Sequence, residues 1–257
     1  MRLVRPPEQA FRKGMASEVA LVTGATKGIG LAISQRLKSA GYHVVGIART
    51  SPSEFAGDLV HCDMHDRQAL GETLAKIVAQ YEIRHLVNNF GRVERASVED
   101  VSYDHFRALI DANLFTAIQC VQAVLPHMRS AQSGRIVNLA SRAMLGRAGS
   151  SIYACAKAAI VGFSRSLALE LAREGITVNV IAPGTTDTDG FRNSNPPGGS
   201  ASGTQAVDWS SIVPLQRIGE PREIAAAVQY LLSDDASYTT GQVVYVCGGL
   251  SVGTNLI

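Results

Sequence analysis

Apolar positions along the chain follow two rhythms. Short runs rich in β-branched residues have the length of strands: Val19–Thr23, Val44–Ala48, Leu59–Asp63, Ile83–Asn88, Arg135–Ala140, Ile176–Ala182 and Gln242–Cys247. Between them, apolar residues recur three and four positions apart, as in helices that bury one stripe. Those segments are Gly28–Ala40, Gln68–Gln80, Tyr103–Arg129, Ile152–Arg173 and Pro221–Ser233. Pro221 suits a first helical turn, where its missing N–H is not needed. Pro126 is expected in the last turn of its helix. This alternation predicts a parallel sheet with helices on both faces, in one α/β domain. Such sheets bind ligands at the carboxyl ends of their strands. The loops after Thr23, Asn88, Ala140 and Ala182 therefore belong on one rim. The link from Arg49 to Asp58 is too short for a full crossover helix. The stretch Gly184–Ser211 is rich in Gly, Pro, Ser and Thr and reads as a substrate lid over about 185–212.

Composition narrows the function. Of 257 residues, 46% are apolar and 18% charged, which excludes a largely disordered chain. A net charge of +2 gives no electrostatic case for nucleic acid or an anionic membrane as partner. No uninterrupted apolar run approaches the roughly 18 residues of a membrane span. Cys62, Cys120, Cys155 and Cys247 are scattered without metal-ligand or redox-pair spacing. Free thiols of this kind predict a reducing compartment, the cytoplasm, and no bound metal. Residues 1–16 carry four basic residues and a Pro-Pro pair but no apolar signal core. They read as a flexible extension ahead of a domain spanning 17–257.

Two clusters carry chemistry. Thr23-Gly-Ala-Thr-Lys-Gly-Ile-Gly30 leaves a strand and opens a helix. Glycines there let backbone approach a pyrophosphate, and the helix N-terminus favours its charge. A turn that only makes room for helix packing would look the same. Tyr153 and Lys157 share one helix face at i and i+4. An ammonium beside a phenol lowers the phenol pKa from about 10 and makes it a usable acid and base. Ser141 ends the strand before that helix, where it also fits a plain cap.

Taken together, the order and spacing of these residues resemble the short-chain dehydrogenase/reductase family over about Ser17 to Val252. The resemblance rests on Thr23–Gly30, Asp63, Asn88-Asn89-Phe90-Gly91, Asn113, Ser141, Tyr153-Ala-Cys-Ala-Lys157, Asn179-Val-Ile-Ala-Pro183-Gly184 and Gly241–Gly249. Within the family, the look is nearest to 3-oxoacyl-carrier-protein reductases. The resemblance implies a Rossmann-type, doubly wound sheet of about seven strands. It implies hydride transfer between a nicotinamide cofactor and a carbonyl or secondary alcohol, with a 3-oxoacyl thioester as candidate substrate. Sugar, polyol and steroid alcohols are alternatives, as is a non-catalytic NADP(H)-binding sensor or scaffold. It gives Tyr153 the role of general acid/base and Lys157 that of ribose holder. Ser141 would bond the substrate oxygen, and Asn113 would support a proton relay. Gly24, Thr26, Lys27, Gly28, Ile29, Gly30, Asn89, Gly91, Pro183, Gly184, Thr186 and Thr188 would contact the cofactor, and Asp63 the adenine edge. A homotetramer is expected, or a dimer as second choice. Its contacts would use the helices of Asn113 and Tyr153 and the last helix and strand. Small residues at Cys155–Ala159 and Val161–Phe163, and a stripe of Ile118, Val121 and Val124, suit such packing.

Cofactor choice turns on the end of the second strand. A carboxylate there would bond a ribose 2′-OH and repel a 2′-phosphate. Ala48 stands in that place, followed by Arg49, with Lys27 in the glycine loop. Two cations and no carboxylate suit NADP(H) over NAD(H), unless both cations are merely solvated. Phe90 and Cys247 depart from the family pattern, and Cys155 puts a thiol inside the Tyr–Lys motif. Phe191 and Trp209 either cover the substrate or anchor the lid by packing.

Overall fold

The computed structural model describes residues 18–52, 54–195 and 208–252. The expected extension over 1–16 and the middle of the lid lie outside them. Seven strands form one parallel sheet in the order β3-β2-β1-β4-β5-β6-β7. They are β1 (Val19–Thr23), β2 (His43–Ala48), β3 (Asp58–His61), β4 (Ile83–Asn88), β5 (Gly134–Leu139), β6 (Ile176–Pro183) and β7 (Val243–Val246). The order reverses between β1 and β4, so their carboxyl ends flank the crevice where ligands of such sheets sit. As expected, β2 passes to β3 without a helix.

Successive strand residues point to opposite faces, and the two faces have separate cores. Leu21, Val45, Leu86 and Ile136 pack with α2 (Arg67–Gln80), α4 (Thr116–Ala131) and α5 (Ser151–Leu171). Ala20, Val22, Val44, Val87 and Val137 pack with α1 (Gly28–Ser39) and α7 (Pro221–Leu232). Every residue of β6 is buried, as the fully covered strands of a parallel sheet are. Val121 and Val124 are buried in the first core. They face the sheet, so they do not contribute to the association stripe that the sequence suggested.

The expected helix over Tyr103–Arg129 is two helices. α3 (Tyr103–Ile110) and α4 are joined by one wide turn, Asp111–Phe115, with i to i+5 bonding. Polar side chains hold that turn. Thr116 Oγ1 donates to the Asp111 carbonyl at 3.1 Å, and Asn113 Nδ2 to the Leu109 carbonyl at 2.9 Å. Pro126 lies inside α4, ahead of its last turn. A short helix, α6 (Asp189–Ser194), opens the lid.

Two stretches, Tyr103–Ala131 and Ser151–Glu174, are long and apolar enough to cross a bilayer, which counting uninterrupted runs had excluded. Both pack against an open parallel sheet, and an open sheet edge has no place in a hydrocarbon core.

Candidate active site

β1 ends at Thr23, and the chain turns at Gly24 and Gly28, whose φ values of 65° and 50° suit glycine. Gly30 is needed for a different reason. A Cβ there would lie 2.0 Å from the Gly24 carbonyl oxygen. The first turn of α1 is thus seated directly on the loop, with its N–H groups at the sheet's switch point. Ile29 packs on the second core, and Lys27 is the exposed N-cap. Thr26 is buried, with its hydroxyl 3.0 Å from that of Thr50.

The neighbouring loop after β4 is tied to this one. Asn89 Nδ2 donates to the carbonyls of Thr23 and Gly24 at 2.9 and 3.2 Å. Thr23 Oγ1 accepts from the N–H groups of Asn89 and Phe90, both at 3.0 Å. The Phe90 ring leans edge-on against His65 with centroids 5.2 Å apart and packs on the first core. Beyond β3, Asp63 accepts from the His65 N–H at 3.1 Å and lies 3.8 Å from Arg49. Arg49 and Asp63 therefore stand together past the ends of β2 and β3.

Ser141 follows β5 and caps a short turn, accepting from the Ala143 N–H at 3.1 Å. α5 begins ten residues later and carries Tyr153 and Lys157, both buried. The Lys157 ammonium donates to the Leu139 carbonyl at 2.9 Å and lies 5.9 Å from the Tyr153 ring centroid. Burial lowers its pKa to about 8. Burial pushes the Tyr153 phenol above its ordinary value, while the Ser141 hydroxyl and then Arg147 pull it down. In this arrangement the lowering acts through Ser141 and Arg147 rather than through Lys157. Arg147 was absent from the sequence reading. Its one signal was its place in the chain, midway between Ser141 and Tyr153.

Asn113 reaches the same place from the wide turn. Its Nδ2 donates to the Arg92 carbonyl at 2.9 Å, and its buried Oδ1 has no partner among the described residues. A Cβ on Gly91 would lie 2.6 Å from that Oδ1 and 3.0 Å from Lys157 Nζ. Four elements thus bring Gly91, Asn113, Ser141, Tyr153 and Lys157 to one rim. The Oδ1, without a partner among the described residues, and the adjacent ammonium form an acceptor and a donor that both border Gly91.

The lid starts where β6 ends at Pro183. Gly184 admits close backbone contact, since a Cβ there would lie 2.6 Å from the Cys247 Cα. Cys247 is accordingly a buried packing residue of the β6–β7 junction. Thr186 donates to the Gly184 carbonyl at 3.1 Å, and Thr188 caps α6. A Cβ on Gly28 would lie 3.1 Å from Thr188 Cγ2, so the lid base meets the glycine loop. Phe191 and Trp209 pack edge to face, with centroids 5.9 Å apart. They join the two described arms of the lid.

The glycine cradle, the α1 N-terminus, the lid base and the open Asn113–Lys157 gap fit a dinucleotide laid across the switch point. A family model described as enoyl-(acyl carrier protein) reductase matches residues 24–251. The chain is 37% identical to the 3-oxoacyl-[acyl-carrier-protein] reductase FabG of Salmonella typhimurium, over 91% of this chain and 97% of that one. The ligand-free aldohexose dehydrogenase of Thermoplasma acidophilum superposes with a TM-score of 0.86 at 32% identity, covering 94% of this chain and 96% of the other. An actinorhodin polyketide ketoreductase with NADPH gives 0.85 at 32% identity, covering 91% and 97%.

Proposed function

Because the chain belongs to the short-chain dehydrogenase/reductase family, we propose that it reduces a carbonyl compound to a secondary alcohol with NADPH. The observation that carries this reading is the meeting of Ser141, Tyr153, Lys157 and Asn113 beside the glycine loop. The nicotinamide, when bound, supplies the hydride. Tyr153 gives its phenolic proton to the carbonyl oxygen as negative charge develops there, and Ser141 donates a hydrogen bond to the same atom. Lys157, lowered to about 8 by burial, can both hold ribose hydroxyls and pass a proton toward the phenol. The unpartnered Oδ1 of Asn113 can hold a water that refills that proton. Oxidation of an alcohol runs through the same groups in reverse.

Arg49 and Lys27 support NADPH over NADH, since β2 itself ends in Ala48 and not in a carboxylate. A 3-oxoacyl thioester is the substrate class favoured by the resemblance to FabG. Four free cysteines support a cytoplasmic location, and a homotetramer is the assembly this reading carries. The test is a panel of 3-oxoacyl thioesters, diketones, quinones and sugars followed by NADPH absorbance. Turnover of at least one ketone is expected. None, with NADPH bound, would favour the sensor reading.

A further inference from the structure

Arg147 stands within electrostatic reach of the Tyr153 hydroxyl, with Arg95 and Arg142 around it, and among the described residues none of the three arginines forms a salt bridge. Arg142 follows Ser141 directly. Arg147 lies at the end of the same segment, within electrostatic reach of Tyr153, Arg95 and Arg142. Arg95 comes from the loop after β4, which runs beside that segment. The Ala96 N–H donates to the Gly149 carbonyl at 3.1 Å, and Ala96 bridges Ser150. Other arginines nearby are neutralised. Arg92 pairs with Glu94, and Arg192 with Asp187 and Asp189.

The cluster also meets both arms of the lid. The Arg147 guanidinium lies over the Trp209 ring, 5.6 Å from its centroid. Arg95 Nη2 donates to Asn195 Oδ1 at 3.4 Å. A guanidinium stacked by one face on an indole keeps its donor edge free, and that edge matches a carboxylate in bidentate geometry. Burial, and then Arg95, lower the Arg147 pKa from its ordinary value. An anion between the two arginines would offset both effects. Exposed cations would owe nothing to a ligand, but Arg147 is half buried and stacked beside the proton donor.

We infer that Arg147, assisted by Arg95, binds a carboxylate carried by the substrate, so that the carbonyl compound reduced at Tyr153 is an oxo acid. This rests on the reductase reading above and puts a free oxo acid in the place of the 3-oxoacyl thioester as its substrate class.

The test compares 3-oxobutanoate, 4-oxopentanoate and 5-oxohexanoate with their methyl esters, using the full chain and NADPH. At least one acid is expected to exceed its ester in kcat/KM by about tenfold or more, the usual weight of a charged hydrogen bond. That acid-to-ester ratio should collapse in Arg147→Gln and recover in part in Arg147→Lys, which keeps the charge. Esters favoured over all three acids, or a ratio unchanged in Arg147→Gln, would overturn the inference and leave the reductase reading intact. If no compound is turned over, calorimetry of 4-oxopentanoate with the NADPH-loaded protein decides. Binding lost in Arg147→Gln would support the anion site, with the reductase reading left to its own panel. No binding to the parent would overturn the anion site.

Discussion

Tyr153 and Lys157 are both shifted by burial, in opposite directions. Burial favours the neutral form of each, so it raises the phenol and lowers the ammonium to about 8. For Lys157 this has a consequence for stability. A lysine whose folded pKa is depressed binds fewer protons in the folded state than in the unfolded one, between about 8 and its ordinary value of 10.5. Stability therefore rises with pH across that window, by up to about 1.4 kcal/mol per unit. Lys157→Met should abolish the rise, as read from urea unfolding at pH 7.5 to 10. Parallel curves for parent and variant would contradict a buried, charge-averse Lys157. Tyr153→Phe removes only the proposed proton donor. It should lower turnover by roughly 10²–10⁴-fold, while NADPH still binds by fluorescence titration. Activity within twofold of the parent would reassign the acid. At the cofactor end, the proposed preference for NADPH should invert in Ala48→Asp, because a carboxylate repels the 2′-phosphate and accepts from a ribose hydroxyl. Binding constants for both cofactors check this, and an unchanged ratio would remove Arg49 and Lys27 from the explanation.

At the scale of elements, the wide turn between α3 and α4 decides where Asn113 points. A regular helix would carry its side chain to a different angle, and one extra residue in the turn aims it at Gly91 and Lys157. Gly91 completes that contact by lacking a side chain. Gly91→Ala should leave the fold intact, since the residue is exposed, yet push a methyl group against Asn113 Oδ1. Turnover should fall about tenfold or more, the scale of a misplaced catalytic contact, with the melting temperature nearly unchanged. Parent-level activity would mean that the gap beside Lys157 is not used. This turn also marks the limit of what the sequence conveyed. The strands, the glycine loop and the Tyr–Lys pair were legible because each is a local pattern with a fixed period or spacing. The break at Asp111–Phe115 was not, because apolar spacing runs through it and the bonds that hold it come from Thr116 and Asn113 side chains. Arg147 was not legible either. Its meaning comes from Trp209 and Arg95, which only the folded chain brings to it.

For the molecule as a whole, the helix bearing Tyr153 has a second side to account for. Its inner face is committed: Tyr153, Ala156, Lys157, Ile160, Ser164 and Leu167 are buried against the sheet. Its outer face presents Cys155, Ala158 and Gly162, all exposed, and then Leu169 at 83% exposure. Nothing lies within 4 Å of a Cβ built on Gly162. Small side chains ending in an exposed leucine make a surface another helix can approach closely, with little entropy to lose. At the far edge of the sheet, β7 pairs on one side only among the described residues and is half-buried along its length. An edge strand of that kind is normally covered or paired. Pairing of each face with its own copy across a two-fold axis would generate the proposed tetramer with dihedral symmetry. Light scattering at micromolar protein should then report about four times the chain mass of 27.3 kDa. Leu169→Glu places a charge on the α5 face alone, so it should yield a dimer held by the β7 side. A monomer for the parent would overturn the assembly. A tetramer that survives Leu169→Glu would move the contact off this face of α5, and neither result would touch the chemistry at Tyr153.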